Sequence, residues 1–217
     1  RVGTAGVALN QKRSSIEVTI DGSRFTEYRY GAKLARPHLF PVIGPFGKGV
    51  TRPLAKPGDG LDHPHHRSIY ISHGEVNGFN NWSETQGHAR TVHRQFELLE
   101  SGAALGRIVA VSAWVGTEGW VTPRRSEELL EERAVWTFYN TPAEVRIIDL
   151  HVTLTALEMD VLFGDTKEGG LASIRVAESM EVRSGLGGVI ENAIGGKNED
   201  ETWGKRAAWC HYSGPVS

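Results

Sequence analysis

Apolar and polar residues alternate with a period of two along most of this chain, and β-branched side chains crowd the alternating runs, as in half-buried strands. In residues 146–155 the alternation puts Ile148, Leu150, Val152 and Leu154 on one face; His151 lies on the other, where it would face a groove. An earlier run closes at Val18-Thr19-Ile20, and Asp21-Gly22 turns the chain back toward Phe25, Tyr28 and Tyr30. Further strands are predicted at 69–73, 92–99, 108–115, 134–139, 145–157, 172–177 and 207–212, with gaps that rarely leave room for a helix. The one helix-like stretch, 124–133, repeats like charges at Glu127 and Glu131 and at Glu128 and Glu132. Such spacing repels on a helix, so the run is read as a hydrated hairpin or connecting strand at the surface.

These elements predict an all-β fold, a large two-sheet antiparallel β-sandwich. No repeat or linker divides it, so residues 1–217 are read as a single domain. At 217 residues the chain is long enough to bury a sizeable core. A formal charge of -2, from 24 basic and 26 acidic residues, gives no footing for nucleic acid or an acidic membrane surface as partner. No apolar run reaches transmembrane length, and residues 1–10 lack the apolar core of a secretion signal, so a cytoplasmic protein is expected. The single Cys210 excludes an intrachain disulfide, and its neighbours Ala208 and Trp209 predict a buried structural thiol.

Three zones carry chemistry. Asp62-His63-Pro64-His65-His66-Arg67 sets three imidazoles, a carboxylate and a guanidinium between a Gly/Pro-rich stretch and a predicted strand. With the strand beginning near Arg67, His65 and Arg67 share one side and His63 lies beyond the bend at Pro64, so the imidazoles need not converge. One imidazole suffices for a general base near neutral pH. Asp62, His63, His65 and His66 would also offer ligands to a divalent metal, although His-Pro-His-His is no standard zinc spacing. No organic cofactor is suggested.

The second zone, 74–84, holds an Asn77-Gly78 turn signal and then Trp82 beside Asn80, Asn81 and Glu84, the composition of a sugar site. An ordinary polar loop anchored by one aromatic has the same composition. His73 lies between this loop and the histidines, within reach of either. In the third zone, Phe163-Gly164-Asp165-Thr166-Lys167-Glu168-Gly169-Gly170, Asp165 or Glu168 would serve as acid, base or metal ligand on a glycine-rich loop. A plain charged hairpin is the alternative, and the order of residues is not that of a phosphate-binding loop.

Together these motifs carry a family resemblance. Residues 36–42, 47–52 and 62–67, Val76-Asn77-Gly78, Trp82, residues 164–169 and Tyr212-Ser213-Gly214-Pro215 resemble, in this order, the PmoA-like family, also called DUF6807. Nothing in the chain resembles the membrane subunit of a copper methane monooxygenase, which argues against methane oxygenase activity. The family is similar to the galactose-mutarotase-like β-sandwich superfamily, and that resemblance implies a supersandwich and a carbohydrate ligand. It also implies a sandwich incomplete at its C-terminal end, because relatives continue beyond the tyrosine-serine-glycine-proline motif. Where relatives carry aspartate after the Asn-Gly turn, this chain has Asn80, which removes a carboxylate.

The expected function is proton transfer on a sugar or sugar derivative, as an epimerase, lyase or hydrolase. Glu168 or Asp165 would supply one acid/base group and His65, His66 or His151 the other. Arg67 would bind a substrate oxygen and Trp82 would stack on a sugar face, with His73, Asn77 and Asn80 as further contacts. The alternative is a non-catalytic carbohydrate-binding or accessory domain.

Overall fold

The computed structural model describes residues 5–56, 60, 62–116, 127–168 and 170–216. Strands β1 (Val7–Gln11), β2 (Ser15–Ile20), β3 (Ser23–Arg29), β4 (His38–Val42) and β5 (Ile69–Ile71) lie side by side in an antiparallel sheet that β10 (Ala172–Ile174) completes. A second antiparallel sheet is a meander of β6 (Arg90–Glu100), β7 (Leu105–Gly116), β8 (Glu127–Tyr139) and β9 (Ile148–Ala156). A separate ribbon pairs β11 (Val189–Asn192) with β12 (Cys210–Ser213) beside a short helix, α1 (Asn198–Thr202). Among the described residues no helix is long and apolar enough to cross a membrane.

The alternating patterns set these strands. Ile148, Leu150, Val152 and Leu154 of β9 turn toward the core as the period predicts. Asp21 and Gly22 both take positive φ, 47° and 78°, the backbone that a two-residue hairpin between twisted strands requires. The two large sheets bury a common core: Ile16, Val18, Leu39 and Ile71 come from the first, and Ile108, Trp114, Leu130 and Phe138 from the second. Phe25 meets Phe138 edge to face at 6.2 Å between the sheets. Each such ring contributes about 1.5–3 kcal/mol by leaving water. At one corner Val7 exchanges backbone hydrogen bonds with Gly102 (2.8 and 3.0 Å), tying β1 to the β6–β7 turn. Gly6 makes this approach feasible, because a Cβ there would stand 2.5 Å from the Gly102 carbonyl oxygen.

Several expectations are corrected. The predicted strand at 69–73 ends at Ile71, and that at 207–212 shrinks to Cys210–Ser213. Cys210 is exposed rather than buried, because β12 lies at the rim of the ribbon and Trp209 beside it is also exposed. Residues Glu127–Tyr139 form one long strand, so the charged run is not all hydrated surface: Glu132 points into the core. Arg124, Arg125 and Ser126 lie outside the described residues.

Cross-strand register defines the face that concerns function. Ser15 pairs with Arg29, Arg29 with His38, His38 with Tyr70, and Tyr70 with Ser173. Directly paired residues share a face. This row therefore runs across five strands on the side opposite Leu39 and Ile71, away from the core.

Candidate functional site

The histidine segment sits on that outer face, above Tyr70. It is a tight turn rather than the start of a strand: the His66 N–H donates to the His63 carbonyl (3.0 Å), and His63 and Ser68 take positive φ of 45° and 67°. The turn brings the rings together, contrary to the strand-based expectation. His63 stacks on His66 with centroids 4.8 Å apart, and His65 meets His66 edge-on at 4.7 Å. His66 in turn lies 5.5 Å from the Trp82 ring and 6.3 Å from that of Tyr70.

Asp62 anchors the turn. Its carboxylate accepts hydrogen bonds from Arg52 (2.6 Å) and Arg175 (3.0 Å), and pairs with His63 Nδ1 (2.9 Å). The His63 bond, with Arg175 and Arg52 and against a contribution from burial, brings its pKa down to about 2. Buried Arg52 also donates to the His63 carbonyl (2.8 Å), fixing the backbone of the turn. Among the described residues no three His, Cys, Asp or Glu side chains are placed to hold a metal ion. The expected ligands Asp62, His63, His65 and His66 thus gather without forming a cage.

A second network lies beside the first. Arg36 is only 1% exposed, and its guanidinium donates to the carbonyls of Asn81 and Trp82 (2.8 Å each) while lying 5.5 Å above the Tyr70 ring. Glu84 lies 3.4 Å from Arg36 and is gripped through both oxygens by Arg67, whose Nε donates at 2.8 Å. Burial pushes the Glu84 pKa up, but the Arg67 hydrogen bond and the two positive charges hold it below the usual carboxylate value. The same cations act on the histidines. Burial, then Arg36 and His63, take His65 down to about 4; burial, then His65 and Arg175, take His66 to about 3. Both rings are therefore neutral at neutral pH. His66 Nε2, His38 Nε2, Ser68 Oγ and Trp82 Nε1 are buried without hydrogen-bond partners among the described residues, a concentration of unsatisfied polar atoms uncommon outside functional sites.

The other predicted residues divide. Glu168 is half-buried and close enough to raise the Tyr70 pKa, which burial chiefly drives to about 12; its nearest cation is Lys167, 4.0 Å away. Asp165 is exposed on the same loop, and Gly169 lies outside the described residues. Trp82 is 5% exposed, so it closes the floor under His66 and offers no open face for stacking. Asn80 accepts the backbone N–H groups of Trp82 and Ser83 (2.8 and 2.9 Å), which makes it a turn former. Asn77, at φ 49°, is bonded to the backbone of Asp160 and Leu162, and His73 Nε2 reaches the Gly164 carbonyl (3.0 Å); both tie loops together. His151 is exposed on β9 in the other sheet, away from the histidine turn.

Arg36, Arg52, Tyr70 and Arg175 are central here, yet no functional role was predicted for them. Arg36 and Arg52 fall within motifs that carry the family resemblance, which is the one signal that marked them. The chain matches the model of a family described as a family of unknown function, DUF6807, over residues 15–217. No curated protein and no solved structure matches it.

Proposed function

The chain belongs to the DUF6807 family, and from the geometry of its histidine turn we propose that it catalyses proton transfer on an acidic sugar or sugar derivative. One observation carries this reading: two neutral imidazoles, His65 and His66, stand among Arg36, Arg52, Arg67 and Arg175. In that field an imidazole of the free protein is a weak base. A bound carboxylate adds negative charge beside it, raises its pKa, and so makes it a better base when substrate is present.

In the proposed step an imidazole nitrogen takes the proton from a carbon next to a carboxylate or ketone. The C–H electron pair moves onto the carbonyl oxygen as an enolate, which Arg67 stabilises. Return of a proton to the opposite face completes an epimerisation; expulsion of a β-substituent completes an elimination. Glu168, near Tyr70, is the second acid/base group. Glycoside hydrolysis is less well supported, because it needs two available carboxyl groups, whereas Asp62 and Glu84 are tied to arginines. The sugar part of the reading rests on the kinship with mutarotase-like sandwiches that the sequence resemblance implies.

The test is solvent-deuterium exchange followed by NMR on uronates, aldoses and 3-keto-glycosides. Exchange into an acidic sugar, abolished by His66→Ala and weakened by Arg67→Ala, is expected. Exchange in none of these classes, with ligand affinity unaffected by the histidine substitutions, would remove the enzyme reading. Affinity without exchange would favour a binding domain.

A further inference from the structure

An open cleft of about 860 Å³ lies at the other end of the outer-face row, where Ser15 and Arg29 form part of its floor. Its volume is in the range of small-molecule sites. Glu27 is buried in that floor and accepts hydrogen bonds from Ser15 Oγ (2.5 Å), Arg29 (3.1 Å) and Arg24 (3.2 Å). Burial alone would raise its pKa, but the Ser15 bond and the Arg29 charge keep it lowered and ionised. The Arg29 guanidinium also covers the Phe40 ring at 5.1 Å. The floor thus presents fixed donors and acceptors above an aromatic. Arg13 and Lys33 line the cleft as exposed cations with no ion-pair partner among the described residues.

The cleft and the histidine turn lie toward opposite ends of the same cross-strand row. His38 is buried between them, and besides burial its imidazole is held down by Arg67 from the side of the turn and Arg29 from the side of the cleft. Arg29 and Tyr70 are two strands apart, about 10 Å at the usual strand spacing. That distance is longer than one sugar ring and short enough for a chain of them. The partly exposed groups at the turn are His65 and Arg67, and those at the cleft are Arg29, Lys33 and Arg13, so donors and positive charges stand at both ends.

We infer that the cleft is a second subsite, which holds a non-reacting residue of an acidic oligosaccharide whose reacting residue sits at the histidine turn. Arg13 and Lys33 meet its anionic substituent, and Ser15, Glu27 and Arg29 meet its hydroxyls. The ligand class rests on the acidic-sugar reading of the turn; the position of the subsite does not.

The test compares galacturonate with its α-1,4-linked trimer by titration calorimetry, on wild type and on the Arg13→Ala/Lys33→Ala variant, with circular dichroism confirming the fold. Wild type should bind the trimer more tightly than the monomer. That ratio should fall about tenfold in the double variant, as two partly exposed ion pairs allow, and should also fall with added salt. A ratio unchanged by the double substitution, or a wild type that binds neither probe, overturns the subsite. A ratio that responds to Arg13 and Lys33 in a protein without deuterium exchange would support the subsite and sink the catalytic reading. Exchange with an unresponsive ratio would do the reverse.

Discussion

The indole Nε1 of Trp114 donates to the Glu132 carboxyl at 2.8 Å inside the sandwich core, and among the described residues no cation accompanies it. Burial pushes the Glu132 pKa up to about 7, against the opposing Trp114 hydrogen bond. Because the folded value is raised above the unfolded one, the protonated form favours folding. The contribution of Glu132 to stability should be greatest below the ordinary carboxylate value and should decline as the pH rises from there through about 7. Glu132→Gln keeps an acceptor for Trp114 and removes the charge. Chemical unfolding at pH 5 and pH 8 should show the variant gaining on the order of 3 kcal/mol over wild type between the two; parallel pH profiles would refute this.

Glu84 is the only carboxylate drawn to the buried Arg36 among the described ion pairs. Replacing it by Ala leaves that guanidinium charged and half-partnered, a loss of about 3 kcal/mol in denaturant midpoint measurements. Arg36→Met combined with Glu84→Leu should cost less than the sum of the single changes, because neither charge is then stranded. Additive losses would show that the pair is not coupled.

The proposed proton transfer carries a pH dependence set by the same cations. The ascending limb of kcat/KM should report an imidazole of the free protein, at about 3 to 4 by the values for His66 and His65. Bound anion raises that value, so the limb of kcat should lie at higher pH than the limb of kcat/KM. Coincident limbs, or a kcat limb shifted to lower pH, would mean that the base does not touch an anionic ligand.

Gly164 takes the Glu75 carboxylate against its Cα, and an added Cβ would overlap it. Gly164→Ala should displace that carboxylate, the far end of a flexible side chain, together with the hydrogen bond it accepts from the Gly78 N–H (3.0 Å), and so destabilise by about 1 kcal/mol. Gly170, where an added Cβ would meet nothing within 4 Å beyond its chain neighbours, is the control. Equal melting temperatures for the two alanine variants would contradict the close approach.

Local signals made the strands legible: the Asp21-Gly22 turn and the stripe on β9 follow from sequence because they depend on residues a few positions apart. The site was legible as a neighbourhood but not as a geometry. Convergence of the histidines depends on positive φ at His63 and Ser68, and on a bond from Arg175 to Asp62 across 113 positions. The composition around Trp82 is that of a sugar platform, but composition carries no information about burial, and the ring is buried. Glu132 was hidden in a run of charges whose alternate members face opposite sides of β8, where a register shift at Trp114 and Val115 leaves both Leu129 and Leu130 buried.

The place of β10 in the first sheet has a consequence for how this molecule comes into being. Its neighbour β5 is made early, yet β10 arrives only after all four strands of the second sheet. Ser173 and Arg175, which close the site against Tyr70 and Asp62, are therefore synthesised well after the residues they hold. Until they dock, the histidine turn lacks one of the two arginines that hold it, and the long-range pairing makes that docking slow compared with hairpin formation. A nascent chain would carry every histidine and still lack the arrangement that makes them useful.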